Sequence, residues 1–120
     1  MKPRHAWLYY KGKEYIRLDF SDLTDGETII GMSRLTINDV LKRPDNSVLS
    51  LCYTRGVRTT PLVMRELKEI GKIVRPKLNK SACVGPTGLL VVLLRLYIAA
   101  TGSPMRFFTD EESALEYLTS

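Results

Sequence analysis

The residues of this 120-residue chain that carry the chemistry of catalysis or metal binding are few and scattered. Cys52 and Cys83 each sit inside an apolar, strand-like run, VLSLCY and SACVG, and the one histidine is His5. A reactive cysteine needs its thiolate stabilised, commonly at a helix N-terminus or beside a base, and a structural zinc takes about four ligands. Two thiols in strands and a near-terminal histidine meet neither need. The expectation is therefore a pair of buried thiols, no metal, no cofactor and no enzyme. Asp110, Glu111 and Glu112 form a compact acidic run. At the start of a helix, carboxylates complement the positive end of the dipole, which accounts for them without general acid chemistry.

Binding chemistry is better represented. The stretch VGPTG, residues 84–88, passes from a strand into a helix, where free N–H groups favour an anion, and Gly85, Thr87 and Gly88 are its candidate residues. It lacks the Gly-Lys-Ser/Thr ending of a phosphate loop, so an ordinary Gly/Pro turn is the competing account. Gly56 and Arg58 occupy a second such loop. From Arg55 to Lys80 the chain holds eight basic and two acidic residues, net +6, whereas the remainder nets −1. At about 100° per residue, Arg65, Lys68, Lys72 and Arg75 fall opposite an apolar stripe and make an outward basic face, suited to nucleic acid, anionic lipid or an acidic protein. A solvated face, with Arg65 and Glu69 paired one turn apart, is the plainer alternative.

The elements that position these groups follow from periodicity. AWLYYKGKEYIRLDF reads as two strands around Lys11-Gly12-Lys13, with Ile16, Leu18 and Phe20 on the one buried face. Thr24 and Glu27 have capping-box spacing before a helix with Ile29, Ile30, Ile37, Val40 and Leu41 inward. Pro44 stops it, and Val48 to Tyr53 is a central strand covered on both faces. Thr60 caps a helix with Pro61 at its first position and Val63, Leu67, Ile70 and Val74 inward. KSACVG is the next strand, MRFF the last, and Thr109 with Glu112 caps a closing helix through Ala114, Leu115 and Leu118. The order ββαβαβαβα predicts one α/β domain over 1–120, with helices on a mixed, largely parallel sheet of about five strands.

One helix is unusual. GLLVVLLRLYIAA, residues 88–100, is apolar except for Arg95. It falls well short of the roughly 20 residues that span a bilayer. Its wheel places Leu89, Leu90, Leu93, Leu94, Leu96 and Tyr97 inward, leaving Val91, Arg95, Ile98 and Ala99 outside. Such a face is too apolar to stand bare. It calls for cover by a second copy, a partner protein or a lipid surface, or by the terminal helix of the chain itself.

SVLSLCYTRG, TTPLVMRELKEIGKIVRP, KSACVGPTGLLVVLLRLY and the ending MRFFTDEESALEYL, in that order, resemble the STAS or SpoIIAA-like family, the fold of anti-sigma-factor antagonists and of the cytoplasmic domains of anion transporters. The resemblance covers nearly the whole chain and implies a stand-alone bacterial or archaeal module in signalling. In that family a serine or threonine before the helix, within Asp-Ser-Ser/Thr-Gly, is phosphorylated by a partner kinase. Thr59 and Thr60 are the nearest matches; the Asp and the Gly are absent.

Hydrophobic content of 44% against 26% charged residues fits a globular domain, and MKPRH leads into a strand without the apolar core of a secretory leader. The expected location is the cytoplasm. Taken together, these features predict a non-enzymatic module acting by protein–protein contact. The alternative is a domain binding a small ligand, a nucleotide, anion or lipid, between the Gly56 and Gly85 loops.

Overall fold

The computed structural model describes residues 4–120; residues 1–3, part of the basic start on which the absence of a leader was read, lie outside the described residues. It contains β1 (His5–Tyr10), β2 (Lys13–Asp19), α1 (Gly26–Val40), β3 (Val48–Tyr53), α2 (Pro61–Val74), β4 (Leu78–Val84), α3 (Leu89–Thr101), β5 (Met105–Phe108) and α4 (Glu111–Thr119). A short 3-10 turn, Arg75–Lys77, links α2 to β4. The element order is the one the periodicity predicts.

Strand order in the sheet is β1-β2-β3-β4-β5, with β1 antiparallel to β2 and the remaining pairs parallel. The β1–β2 hairpin turns through Lys11 and Gly12, both at positive φ, the conformation a two-residue turn requires if its twist is to match the strands. The other strands are joined through helices, as parallel pairing demands.

Side-chain alternation divides the core. Tyr15, Leu51, Ala82 and Val84 meet Ala114, Leu115 and Leu118 of α4 on one face of the sheet. Ile16, Leu18 and Val48 meet α1 on the other, and Cys83 meets Met64 of α2 and Leu90 and Leu94 of α3. β2 is therefore buried on both faces, not one, because Tyr15 is covered by α4 where an exposed side was expected.

The helical layer is tighter than its sequence suggests. Gly26 opens α1 against α2, where an added Cβ would lie 2.6 Å from Val63 Cγ2. Gly71 lies at the crossing of α2 and α3, where a Cβ would run into the Tyr97 hydroxyl and come within 2.9 Å of Thr101 Cγ2. Met64 and Gly71 are consequently the buried residues of α2, whereas Leu67, Ile70 and Val74 are half-buried. In α1 the buried residues are Ile29, Met32, Thr36 and Val40, with Ile30 and Ile37 half-buried and Leu41 exposed.

Two caps fall one residue later than the capping-box spacing places them. Asp25, not Thr24, accepts from the Thr28 backbone N–H and hydroxyl, and Asp110, not Thr109, accepts from the Ser113 N–H at 2.8 Å. A carboxylate adjacent to a threonine wins because it accepts more strongly and interacts with the helix dipole. Thr60 caps α2 as expected, accepting from the Val63 N–H.

Gly71→Ala is predicted to lower the urea midpoint, at a cost of about 1–3 kcal/mol for overpacking, despite the better helix propensity of alanine. Gly31, also within a helix but with open space where its Cβ would lie, provides the contrast: Gly31→Ala should raise stability by about 0.5–1 kcal/mol. Equal effects at the two sites would contradict the close α2–α3 crossing.

Candidate functional site

β3 and β4 present unusual side chains to the helical layer. A parallel strand buried on both faces normally carries Val, Ile and Leu, yet beyond Val48 the residues facing α1 to α3 are Ser50 and Cys52 on β3, Thr54 just past its end, and Ser81 and Cys83 on β4. Register pairs Ser50 with Ser81 and Cys52 with Cys83. The two serine hydroxyls bond each other at 2.7 Å, and the Thr54 hydroxyl lies 3.2 Å from Cys83 Sγ. Small residues form the floor, while the helices stand on large ones. Space therefore remains between them.

That space is a cavity of about 150 Å³. Ile29 and Thr36 of α1, Met64 and Leu67 of α2, and Leu90 and Leu94 of α3 form its roof, and none of its lining residues is charged. Burial pushes the Cys83 thiol up from its ordinary 9.0 to about 11 and the Tyr97 phenol up to about 12, and it raises the Cys52 thiol as well. All three groups are neutral near pH 7. The thiols therefore lack the thiolate character that nucleophilic chemistry needs.

Thr59 and Thr60 are neighbours with opposite environments. Thr60 is exposed and caps α2. Thr59 is half-buried and lines the cavity, and its hydroxyl is shielded from solvent and bonds no protein group. A kinase requires an accessible hydroxyl, so Thr59 does not suit the phosphorylation role assigned to it, and Thr60 is the accessible one of the pair.

The two glycine loops are adjacent, and their glycines lie outside the lining of the cavity. Gly56 and Gly85 both have positive φ, and a Cβ on Gly85 would lie 3.3 Å from that of Arg55. Thr87, Gly88 and Arg58 are exposed. Because α1, α2 and α3 all lie on one face of a sequentially ordered sheet, the winding does not reverse between β2 and β5, so this part of the sheet has no topological switch point. Of these loops, Val57 and Thr59 reach the cavity; Gly56, Arg58, Gly85, Thr87 and Gly88 do not.

The basic face is narrower than its helical wheel. Arg65 and Lys72 are exposed, but Lys68 is half-buried, and Arg75 donates to the Gly102 and Leu78 carbonyls, tying α2 to the end of α3. Glu69 pairs with Lys72 at 3.4 Å, not with Arg65. On α3 the outward apolar line is Leu89, Val92 and Leu96, whereas Val91 and Ile98 are half-buried. The helix is rotated from its expected setting because α2 packs against one flank. Arg95 is exposed, with its guanidinium 5.4 Å from the Phe107 ring centre. α4 lies on the opposite face of the sheet, so the terminal helix does not cover α3.

Sequence reading did not find the cavity. Its signal was nevertheless present, in the alternation of Ser50 and Cys52 with Leu49, Leu51 and Tyr53 along one central strand, continued by Thr54 just past it. The raised thiol has a measurable consequence. As pH rises, the unfolded chain releases the Cys83 proton near pH 9 while the folded chain keeps it to about pH 11, so this contribution to stability is whole below pH 9 and declines across that window. Urea midpoints should show a loss with rising pH to which Cys52 and Tyr97 also contribute, and Cys83→Ala should remove about 1 kcal/mol of it by pH 10. An identical slope in the variant would contradict burial of the thiol.

No known family model matches the chain, and no curated protein matches it. Its structure is similar to the crystal structure of an uncharacterised protein of the DUF3478 family from Shewanella loihica PV-4, which has a SpoIIAA-like fold, with a TM-score of 0.69, 18% identity, and coverage of 95% of this chain and 91% of that one. Four helices on a five-stranded, mostly parallel sheet, superposable over almost the whole of both chains, give this protein a SpoIIAA-like fold.

Proposed function

We propose that the chain is a non-catalytic binding module that holds a small, uncharged, largely apolar molecule between its sheet and the α1–α3 layer. The cavity of about 150 Å³ carries this reading. A cavity of that size lined by apolar side chains admits a single ring such as benzene. It refines the small-ligand alternative: no charged side chain lines the space to hold a nucleotide or an anion, and burying an unpaired charge there is prohibitive.

Titration with toluene, followed by methyl NMR, tests it. Saturable shifts centred on Met64, Leu90 and Leu94 are expected, and Cys52→Leu, which fills the space, should abolish them while leaving the fold intact. Shifts scattered over the surface, or insensitive to Cys52→Leu, would overturn the reading.

A second reading, regulation by protein contact, is favoured by one observation: Leu89, Val92 and Leu96 on α3 are 70%, 52% and 53% exposed. Apolar side chains in a line on one helix are the kind of surface that a partner protein or a second copy covers. Binding of nucleic acid or anionic lipid has less support, since Arg65 and Lys72 are what is left exposed of the basic face. Among the described residues no helix is long and apolar enough to cross a membrane, which is compatible with the cytoplasmic setting we propose. If α3 joins two copies, light scattering should give a mass above that of the 13.6 kDa monomer, and Val92→Glu should return it to the monomer without unfolding. A monomeric wild type would count against self-association.

A further inference from the structure

The cavity is not uniformly apolar, and the unpaired hydroxyls in it constrain what it holds. Most of its polar groups are already bonded. Thr36 and Ser33 donate back to carbonyls one turn earlier in α1, at Met32 and Ile29, and Thr54 is bonded to the Val84 carbonyl and to Cys83. Besides the Tyr97 phenol, which lines the cavity without a protein hydrogen bond, three residues are different. Ser50 and Ser81 bond only each other, so whichever hydroxyl accepts has its own hydrogen to donate. Thr59, in the loop that leads into α2, lines the same cavity, and its hydroxyl is buried with no protein partner at all. A buried hydroxyl without a partner is costly to leave unmade.

We infer that Thr59 is the polar anchor of the cavity, and that its ligand is a ring-sized neutral molecule carrying one hydrogen-bond acceptor, such as a ketone or ether oxygen. This rests on the cavity being a binding site, as proposed above, and adds which chemical class it selects. The Thr59 O–H donates to the ligand oxygen, and the hydrocarbon part packs against Met64, Leu90 and Leu94. A carboxylate or phosphate is rejected because no cation lines the space. A plain hydrocarbon binds without using the anchor.

The test compares two probes of nearly equal shape, cyclohexanone and methylenecyclohexane, on the wild type, Thr59→Val and Thr59→Ser. The valine variant removes the hydroxyl at almost constant volume. The ratio of ketone to hydrocarbon affinity, measured by the same methyl NMR titration, should fall by roughly 3- to 10-fold in Thr59→Val and be restored in Thr59→Ser, with methylenecyclohexane affinity little changed throughout. If methylenecyclohexane does not bind the wild type, the cavity itself is not a ligand site. If it binds and the ratio is the same in all three proteins, the cavity stands and the assignment of Thr59 is overturned. Should Thr59→Val fail to fold, a ratio in Thr59→Ser well below that of the wild type would likewise remove the anchor, since serine presents the same donor.

Discussion

The alternation of large and small side chains along β3 is the constraint on which the rest of this molecule depends. Its odd positions, Leu49, Leu51 and Tyr53, pack toward α4. On the other face Ser50 and Cys52, with Thr54 just past the end of the strand, lie beneath three helices and fill little of the space there. Because successive strand side chains point to opposite faces, one short segment sets a filled core on one side of the sheet and an incompletely filled one on the other. β4 repeats the device with Ser81 and Cys83, in register with Ser50 and Cys52. Small polar groups lose little when buried in mutually bonded pairs, so the floor is tolerated without large side chains to fill it.

The helices cannot simply collapse onto this floor. α2 is wedged between its neighbours at two points of close approach, Gly26 against Val63 and Gly71 against Tyr97 and Thr101. Arg75 fixes the far end by bonding the Gly102 carbonyl at the close of α3. The layer is thus held by contacts between its own helices, and large roof residues such as Met64, Leu90 and Leu94 set its height. Protein interiors have few voids larger than water. One that is spanned by three mutually braced helices is a feature of the architecture.

Much of the fold was legible in the sequence because strand and helix periods are local properties. Pro61 after Thr60, the turn at Gly12 and the alternation in β2 each identify an element without reference to the others. What was missed depends on neighbours. The buried face of α1 was misplaced because Met32 packs with Ile16, Leu18 and Val48 of the sheet while Leu41 is left exposed, and the outward line of α3 was misplaced because a nearly all-apolar helix has no period with which to orient it. The two displaced caps, at Asp25 and Asp110, show competition between adjacent acceptors that spacing alone does not resolve. The cavity is the plainest case. It exists only where four strands and three helices meet, and a window along the chain contains no more than one of its walls.

Xenon binding in crystals of the unmodified chain tests the central claim most directly, because xenon occupies apolar cavities of this size with no polar preference. The account predicts one well-ordered xenon between the sheet and the helices, in van der Waals contact with Met64, Leu90 and Leu94. A core closed over Ser50, Cys52 and Cys83, with no xenon there under pressure, would contradict it.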